Sequence, residues 1–369
     1  MIVGVLGGGQ LGRMLALAGY PLGIRFRFLD PDAACPAGEV GGLVVGRYDD
    51  EQALAEFVRG VDVVTYEFEN VPAGAARWLT EHVEVFPPEG ALATAQDRLR
   101  EKGCFAEVGI ATARHRAAGT LTELASAVKD VGAPCVVKTV RDGYDGKGQA
   151  VVRSEGDVER AWAAVGAGKG GANLVVEEFV RFEREVSVVG VRGRDGEMAF
   201  YPPTENVHVG GILARSLAPA PRVEPGARGT LEGAMGRVME RLGYVGVLAI
   251  EFFDLGGGRF LANEMAPRVH NSGHWTIEGA ECSQFENHVR AVCGMPLGST
   301  SARGHSIMLN IIGGRPDLDA LLAMPGVHVH MYGKSPRPGR KLGHLTVCGP
   351  DGAAVGEIAS RAAGALRNR

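Results

Sequence analysis

Apolar and polar positions follow two different patterns along the chain. From residue 1 to about 95, short apolar runs alternate with amphipathic stretches. MIVGVL, IRFRFLD, GGLVVG and VDVVTYEF read as strands, and QLGRMLALAG and DEQALAEFV as helices. That alternation predicts a parallel sheet with helices on both faces. FPPEG, residues 86–90, marks a boundary, and a single helix is predicted over ATAQDRLREKGCFAEVG, residues 93–109. Beyond it the apolar runs come in pairs: PCVVKTV with GQAVVRS, NLVVEEFV with REVSVVGVRG, and VGVLAIEFFD with RFLANEMA. Paired runs joined by short loops predict antiparallel hairpins, and so an α+β unit after the α/β unit. CGMPLGSTSARG, residues 293–304, marks a second boundary. HSIMLNII, VHVHMY and HLTVC follow as strands, with a closing helix. The expected domains are 1–95, 96–299 and 300–369, without a tandem repeat.

Composition narrows the function classes. The chain has 369 residues, 45% hydrophobic and 22% charged, enough for sizeable cores in two or three domains. A formal net charge of −4 gives no bulk electrostatic case for nucleic-acid binding. No stretch approaches the roughly 18 apolar residues of a membrane span. The N-terminus lacks the basic and apolar regions of a secretory signal. Six cysteines, none in a C-x-x-C pair, read as buried thiols in a reducing cytoplasm.

Six stretches carry candidate chemistry. GVLGGGQLGRML, residues 4–15, fits G-x-G-x-x-G at Gly7, Gly9 and Gly12, with Asp30 ending the next strand. Alone, that is a dinucleotide fingerprint. VVKTVRDGYDGKGQ, residues 136–149, puts Lys138 at a strand end before a glycine loop whose amides can approach phosphate. It is not a Walker A loop, because no Ser or Thr follows Lys147 and a strand follows instead of a helix.

VLAIEFFDLGGGRFLANEMAPR, residues 247–268, folds back at its triple glycine. Counting outward from Gly257 sets Glu251 opposite Asn263, with Glu264 one step away. Two carboxylates and an amide oxygen are hard ligands suited to Mg²⁺ on nucleotide phosphates. In VVEEFVRFERE, residues 175–185, extended backbone at Glu178–Val180 can meet an adenine edge and Glu185 a ribose. A solvated strand end is the plainer reading there, as is a solvated helix face for Arg98. RVHNSGHW, residues 268–275, concentrates polar chemistry in one irregular stretch. YGKSPRPGRKLGH, residues 332–344, clusters Lys334, Arg337, Arg340 and Lys341 in an acidic chain, which suggests a phosphate or carboxylate site.

Together these stretches resemble the N5-carboxyaminoimidazole ribonucleotide synthase (PurK) family of the ATP-grasp superfamily. The resemblance rests on GGGQLGRML, YEFENVP, GYDGKGQ, YPPTENVHVGGIL, NEMAPRVHNSGHW and RPGRKLGHLTV, in order over nearly the whole chain. It implies a Rossmann-like pre-ATP-grasp domain, a central ATP-grasp domain and a small C-terminal domain. It also implies ATP-dependent carboxylation of aminoimidazole ribonucleotide by bicarbonate, through carboxyphosphate, with Mg²⁺. A cytoplasmic homodimer is what the family suggests. The glycine loop then serves the ribonucleotide phosphate in place of NAD, through Gln10 and Leu11 at the start of the helix, and Asp30 needs no ribose role.

By position, the resemblance assigns Arg98 and Lys138 to ATP phosphates. Gly143, Tyr144, Asp145, Gly146, Lys147, Gly148 and Gln149 become a phosphate-covering loop. Glu177, Glu178, Phe179 and Val180 hold adenine, Glu185 the ribose, and His208 and Asn263 line the nucleotide site. Glu251 and Glu264 take Mg²⁺. Arg268, His270, Asn271 and Ser272 surround bicarbonate and the reacting centre, and either His270 or Asp145 handles the amine proton. Tyr144, Asp145, Lys334, Arg340 and Lys341 contact the ribonucleotide. Three alternatives stand beside this reading: another ATP-grasp ligase such as the formate-dependent glycinamide ribonucleotide transformylase, an NAD-dependent oxidoreductase, and a catalytically silent nucleotide-binding subunit.

Overall fold

The computed structural model describes residues 1–141, 143, 148–165 and 173–367. The N-terminal sheet is parallel, formed by β1 (Ile2–Leu6), β2 (Arg25–Asp30), β3 (Gly42–Val45), β4 (Val63–Tyr66) and β5 (Glu84–Val85), in the order β3-β2-β1-β4-β5. Val3, Val5 and Leu6 of β1 are all buried, because helices cover both faces. Helices α1 (Gln10–Gly19), α2 (Glu51–Phe57) and α3 (Ala73–Thr80) supply that cover. The order reverses between β1 and β4, the position where open α/β sheets leave a crevice. The glycine loop follows β1, and residues 67–70 follow β4, so both meet at that crevice.

The helix expected over residues 93–109 is two helices, α4 (Glu89–Ala95) and α5 (Arg98–Glu107). Asp97 breaks it by capping α5, its carboxylate accepting the amides of Leu99 and Arg100 at 3.1 Å. Gln96 holds the corner by donating to the carbonyls of Glu69 and Val71 at 2.6 and 2.7 Å. The break turns the start of α5, and with it Arg98, towards the rest of the molecule.

A four-stranded antiparallel sheet comprises β6 (His115–Ala118), β7 (Cys135–Thr139), β8 (Gln149–Val152) and β9 (Leu174–Glu178), in the order β6-β9-β7-β8. Its apolar face packs under α6 (Leu121–Val131) and α7 (Val158–Ala164). The remaining strands make one nine-stranded sheet: β10 (Arg184–Arg192), β11 (Met198–Phe200), β12 (Thr204–Val209), β13 (Ile212–Ala218), β14 (Gly246–Asp254), β15 (Phe260–Ala266), β16 (His305–Ile312), β17 (Val327–Met331) and β18 (Lys341–Gly349). The hairpin expected between NLVVEEFV and REVSVVGVRG does not form. β9 lies between β6 and β7, whereas β10 lies between β12 and β14 in the other sheet. Strands β16 to β18 extend the nine-stranded sheet through β13, so hydrogen bonding is continuous across residue 300.

The two faces of the large sheet differ. Val186, Val188, Leu248, Ile250 and Phe252 pack against Leu231, Met235, Val238 and Met239 of α8 (Pro225–Arg241) and against Phe105 of α5. The opposite face carries Val189, Val191, Val247 and Ala249 against the N-terminal unit, then turns polar at Glu185, Ser187, Glu251 and Glu264. Among the described residues no helix is long and apolar enough to cross a membrane, and all six thiols are free, five of them buried.

Candidate active site

One cleft of about 860 Å³ lies where the three units meet. Of the residues assigned from sequence, Gln10, Leu11, Arg98, Gly143, Glu251, Glu264, Arg268, His270, Asn271, Lys334, Arg340 and Lys341 line it. Tyr144, Asp145, Gly146 and Lys147 lie outside the described residues.

The hairpin β14–β15 supplies the carboxylates. Simple counting sets Glu251 against Asn263, but the register is Glu251 against Glu264, with a bulge beside them. The extra residue is Asn263. Without it Glu264 would face Ile250 on the apolar side; with it both carboxylates share one face. Burial, reinforced by the Glu264 carboxylate, pushes the Glu251 carboxyl up to about 7. The Asn263 Oδ1 is buried and has no hydrogen-bond partner among the described residues. Two facing carboxylates and an orphaned amide oxygen fit a hard divalent cation.

Arg98 sits beside this pair, with Nη1 at 3.2 Å from Glu264 Oε2 and Nη2 donating to the Gly143 carbonyl at 3.4 Å. Glu101, which the sequence reading did not single out, is buried one turn on and accepts the Met265 amide at 2.5 Å. It therefore pins the strand next to Glu264. Burial and the Glu264 charge raise its carboxyl to about 8.

β15 leads into the 268–275 stretch, whose turn Asn271–Gly273 is clamped by the buried Gln284. Gln284 accepts the His270 amide at 3.0 Å and donates to the His270 carbonyl at 2.7 Å. His270 Nδ1 accepts the Ser272 amide at 3.3 Å and meets the Ser272 hydroxyl at 2.8 Å. The amide bond places the ring proton on Nε2, which lies 3.7 Å from Glu251 Oε1, and the hydroxyl contact also admits the tautomer protonated on Nδ1. Burial, with Arg268 nearby, keeps the His270 imidazole neutral by lowering its pKa well below the usual value. Ser272 is fully buried and reaches the cleft only through His270. Asn271 is held by Asn310 in a reciprocal amide pair, at 3.1 and 2.7 Å.

Arg268 is fixed from its own stretch and from the N-terminal unit. Its Nη2 lies 2.6 Å from Glu69 Oε2 and its Nη1 donates to the Val269 carbonyl at 3.1 Å. The Nε is buried without a partner among the described residues. Glu69 comes from YEFENVP, a stretch noted only for its resemblance.

At the N-terminal wall the glycine loop is held by the protein's own carboxylates. Glu67 accepts the amides of Gly9 at 2.6 Å and Gly12 at 2.9 Å, and Asp30 accepts the Gly8 amide at 2.7 Å. Asp30 also accepts from Tyr48 Oη, so it clamps the loop and is more than a passive strand end. Gly7 has φ +100°, and a Cβ there would come within 2.4 Å of Glu67, so glycine is required by both conformation and contact. Burial raises the Glu67 carboxyl, opposed by those two amides. Among the described residues no acceptor takes the amides of Gln10 and Leu11, at the first positions of α1. Lys334 Nζ donates to Gln10 Oε1. Burial lowers the Lys334 pKa, and Arg340 and Arg337 add to that. Glu67→Ala strands the Gly9 and Gly12 amides and is expected to lower stability by about 1–3 kcal/mol. Urea unfolding measures it, and an unmoved midpoint at constant m would remove Glu67 as the clamp.

The other assigned residues sit beside the cleft. Lys138 Nζ donates to Glu177 Oε2 at 2.9 Å. Glu178 is engaged by Arg114, side chain to side chain at 2.9 Å and amide to carbonyl at 2.9 Å. Phe179 is 44% exposed, which leaves an aromatic surface for a base. Glu185 Oε2 meets His208 Nδ1 at 2.7 Å. Burial works against the imidazolium, but this carboxylate prevails and raises the His208 pKa. Gly148, with φ +70°, and Gln149 lead into β8.

Comparison with known proteins places this architecture. The ribonucleotide synthetase preATP-grasp domain family matches residues 1–96, the ATP-grasp domain family 103–285, and the phosphoribosylaminoimidazole carboxylase C-terminal domain family 306–358. The N5-carboxyaminoimidazole ribonucleotide synthase of Pseudomonas aeruginosa is 49% identical over 347 residues, 94% of each chain. The crystal structure of N5-carboxyaminoimidazole ribonucleotide synthetase from Thermus thermophilus superposes with a TM-score of 0.94 at 52% identity, covering 100% of this chain and 99% of that one. An Aspergillus clavatus N5-carboxyaminoimidazole synthase, solved with ADP and 5-aminoimidazole ribonucleotide, gives 0.90 at 32% identity, with 99% and 98% covered. With three domain families matched in order and relatives covering almost its full length, the chain belongs to the N5-carboxyaminoimidazole ribonucleotide synthase family of ATP-grasp ligases.

Proposed function

We propose that this chain carboxylates 5-aminoimidazole ribonucleotide to N5-carboxyaminoimidazole ribonucleotide, with bicarbonate and ATP as co-substrates and ADP and phosphate as products, in purine biosynthesis. One observation carries the reading: a single cleft holds the facing Glu251/Glu264 pair with Arg98, and also the cationic wall of Lys334, Arg340 and Lys341. The first grouping suits nucleotide phosphates and the second a ribonucleotide phosphate, as joining two phosphorylated substrates requires. The transformylase alternative is not favoured, because the matched C-terminal domain is that of a phosphoribosylaminoimidazole carboxylase.

Bicarbonate attacks the γ-phosphorus of ATP to give carboxyphosphate and ADP. Arg98 and Lys138 neutralise charge on the phosphoryl group as it transfers. Glu251 and Glu264 would hold Mg²⁺, which would draw charge off the phosphate oxygens. Arg268, held by Glu69, binds the bicarbonate oxygens through charge-assisted hydrogen bonds. The exocyclic amine then forms its N–C bond to the carboxyl carbon as phosphate leaves. The amine proton passes to His270, in the tautomer that carries its proton on Nδ1 towards the Ser272 hydroxyl and leaves Nε2 free, or to Asp145. The Gln10 and Leu11 amides, Lys334, Arg340 and Lys341 hold the ribonucleotide phosphate. With the Glu177 and Glu178 side chains paired internally, adenine falls to the 178–180 backbone and Phe179. The enzyme works as a homodimer in the cytoplasm.

ADP release with ATP, Mg²⁺ and bicarbonate, with and without aminoimidazole ribonucleotide, tests the reaction. Strong stimulation and an acid-labile carboxylated product are expected. Stimulation only by glycinamide ribonucleotide with formate would move the activity to the transformylase. Binding of NADH and not of ATP would restore the dinucleotide reading of the glycine loop. Arg340→Ala is expected to raise KM for the ribonucleotide about tenfold and KM for ATP less than about twofold. Equal changes in both would remove Arg340 from the ribonucleotide phosphate.

A further inference from the structure

Lys102 is the one lysine among the described residues in the fully buried class, with a side chain 1% exposed. It has no place in the chemistry above. It lies one helical turn past Arg98 on α5, so the same helix face reaches two walls of the nucleotide region. Arg98 meets Glu264, and Lys102 Nζ comes within 3.2 Å of Glu177 Oε1. The other Glu177 oxygen takes Lys138 at 2.9 Å. Lys138 is on β7 and Glu177 on the adjacent β9, on the same face of the small sheet, Val136 being the residue opposite Glu177.

The three side chains form a row of cation, anion, cation, with Lys102 and Glu177 buried and Lys138 partly exposed. A lone Lys138–Glu177 pair would be well fixed but neutral, and its field at a nearby polyphosphate would largely cancel. Lys102 changes that balance by adding a charge that solvent does not screen. Burial pushes the Glu177 carboxyl up, yet the two lysines prevail and bring it to about 2, so it remains an anion throughout the working pH range. An ammonium this deep is costly unless paired, and packing alone would be met by an apolar side chain of similar length.

We propose that Lys102 is a positioning residue for the nucleotide: it balances the charge of Glu177, so that Lys138 is fixed by that carboxylate while the group keeps a net positive charge facing the ATP phosphates. This rests on the assignment of Lys138 to those phosphates.

The test is calorimetric titration of the full-length enzyme with AMP-PNP and Mg²⁺, together with KM values for both substrates. Lys102→Met is expected to weaken AMP-PNP about tenfold while KM for the ribonucleotide stays within about twofold. The double variant K102M/E177Q carries one cation and no anion, the same net charge as the native group. It is expected to return affinity to within about threefold of native. A packing role alone would lower Tm and leave affinity untouched, and that result overturns the proposal. So does a weakening that E177Q fails to reverse. Should K102M not fold, the double variant, which removes the buried carboxylate together with Lys102 and leaves only the partly exposed Lys138 charged, decides by the same threefold criterion. Lys138→Met separates the two levels. If it leaves AMP-PNP binding intact, the Lys138 assignment itself is wrong. If it abolishes binding while K102M does not change it, only the role of Lys102 falls.

Discussion

Replacing Glu264 with Gln lowers kcat on the order of a thousandfold, about 4 kcal/mol in the barrier. The substitution keeps the shape of the side chain and removes one of the two facing carboxylates. It also removes the ionic partner of Arg98, 3.2 Å away. The remaining carboxylate, Glu251, loses the like charge that helps to raise its carboxyl to about 7. Glu251 therefore ionises more readily in the variant, but a single carboxylate holds a divalent cation far less well than two. Steady-state ADP release over a range of Mg²⁺ concentrations measures the effect. Partial recovery at high Mg²⁺ is expected, since the site is weakened and not abolished. A near-native rate at ordinary Mg²⁺ would remove Glu264 from the metal site.

Arg268→Ala is expected to lower kcat about 100- to 1000-fold, with AMP-PNP affinity changed less than about twofold. Arg268 lines the same cleft, and its guanidinium is oriented by Glu69 at 2.6 Å and the Val269 carbonyl at 3.1 Å. That fixes its orientation at the cleft wall before any ligand arrives. Arg268→Lys keeps the charge and loses the planar fork, so it recovers only a small part of the rate. The split between rate and nucleotide affinity is the diagnostic. A fall in AMP-PNP affinity matching the fall in rate would place Arg268 on the nucleotide and away from bicarbonate.

Much of the architecture was legible in the residues because it follows from periodicity. The alternating runs of residues 1–95 form the parallel sheet as patterned, and PCVVKTV pairs with GQAVVRS, since a short glycine loop joins them. The NLVVEEFV–REVSVVGVRG hairpin was misread because proximity in sequence carries no information about which sheet a strand joins. β9 finds partners on both edges in the small sheet and β10 in the large one. The 93–109 helix was misread because Asp97 is tolerable within a helix on composition, and only its side-chain bonds to two amides show it as a cap.

The site was legible where chemistry is dense and hidden where charge is buried. RVHNSGHW and RPGRKLGH stand out by composition. Glu101 and Lys102 do not, since charged residues on a helix ordinarily read as a solvated face, yet both are 2% exposed. Glu67 and Glu69 lie in a motif whose individual side chains have no spacing to interpret. Their partners are glycine amides 55 and 58 residues away and an arginine on another unit.

By itself, then, the sequence determined the first four strands and the first two α-helices of the N-terminal unit, and the family. These depend on local pattern and on motif order, which a linear chain records in full. The tertiary structure decided which carboxylates face each other, because one bulged residue, Asn263, moves Glu264 to the face of Glu251. It decided that Gly8, Gly9 and Gly12 are held by Asp30 and Glu67, while among the described residues the Gln10 and Leu11 amides have no acceptor. It also decided that α5 turns Arg98, Glu101 and Lys102 inward. Each of these is a matter of burial and of pairing between distant segments. The free energy of a charge depends on what surrounds it in space, and its neighbours in sequence do not specify that.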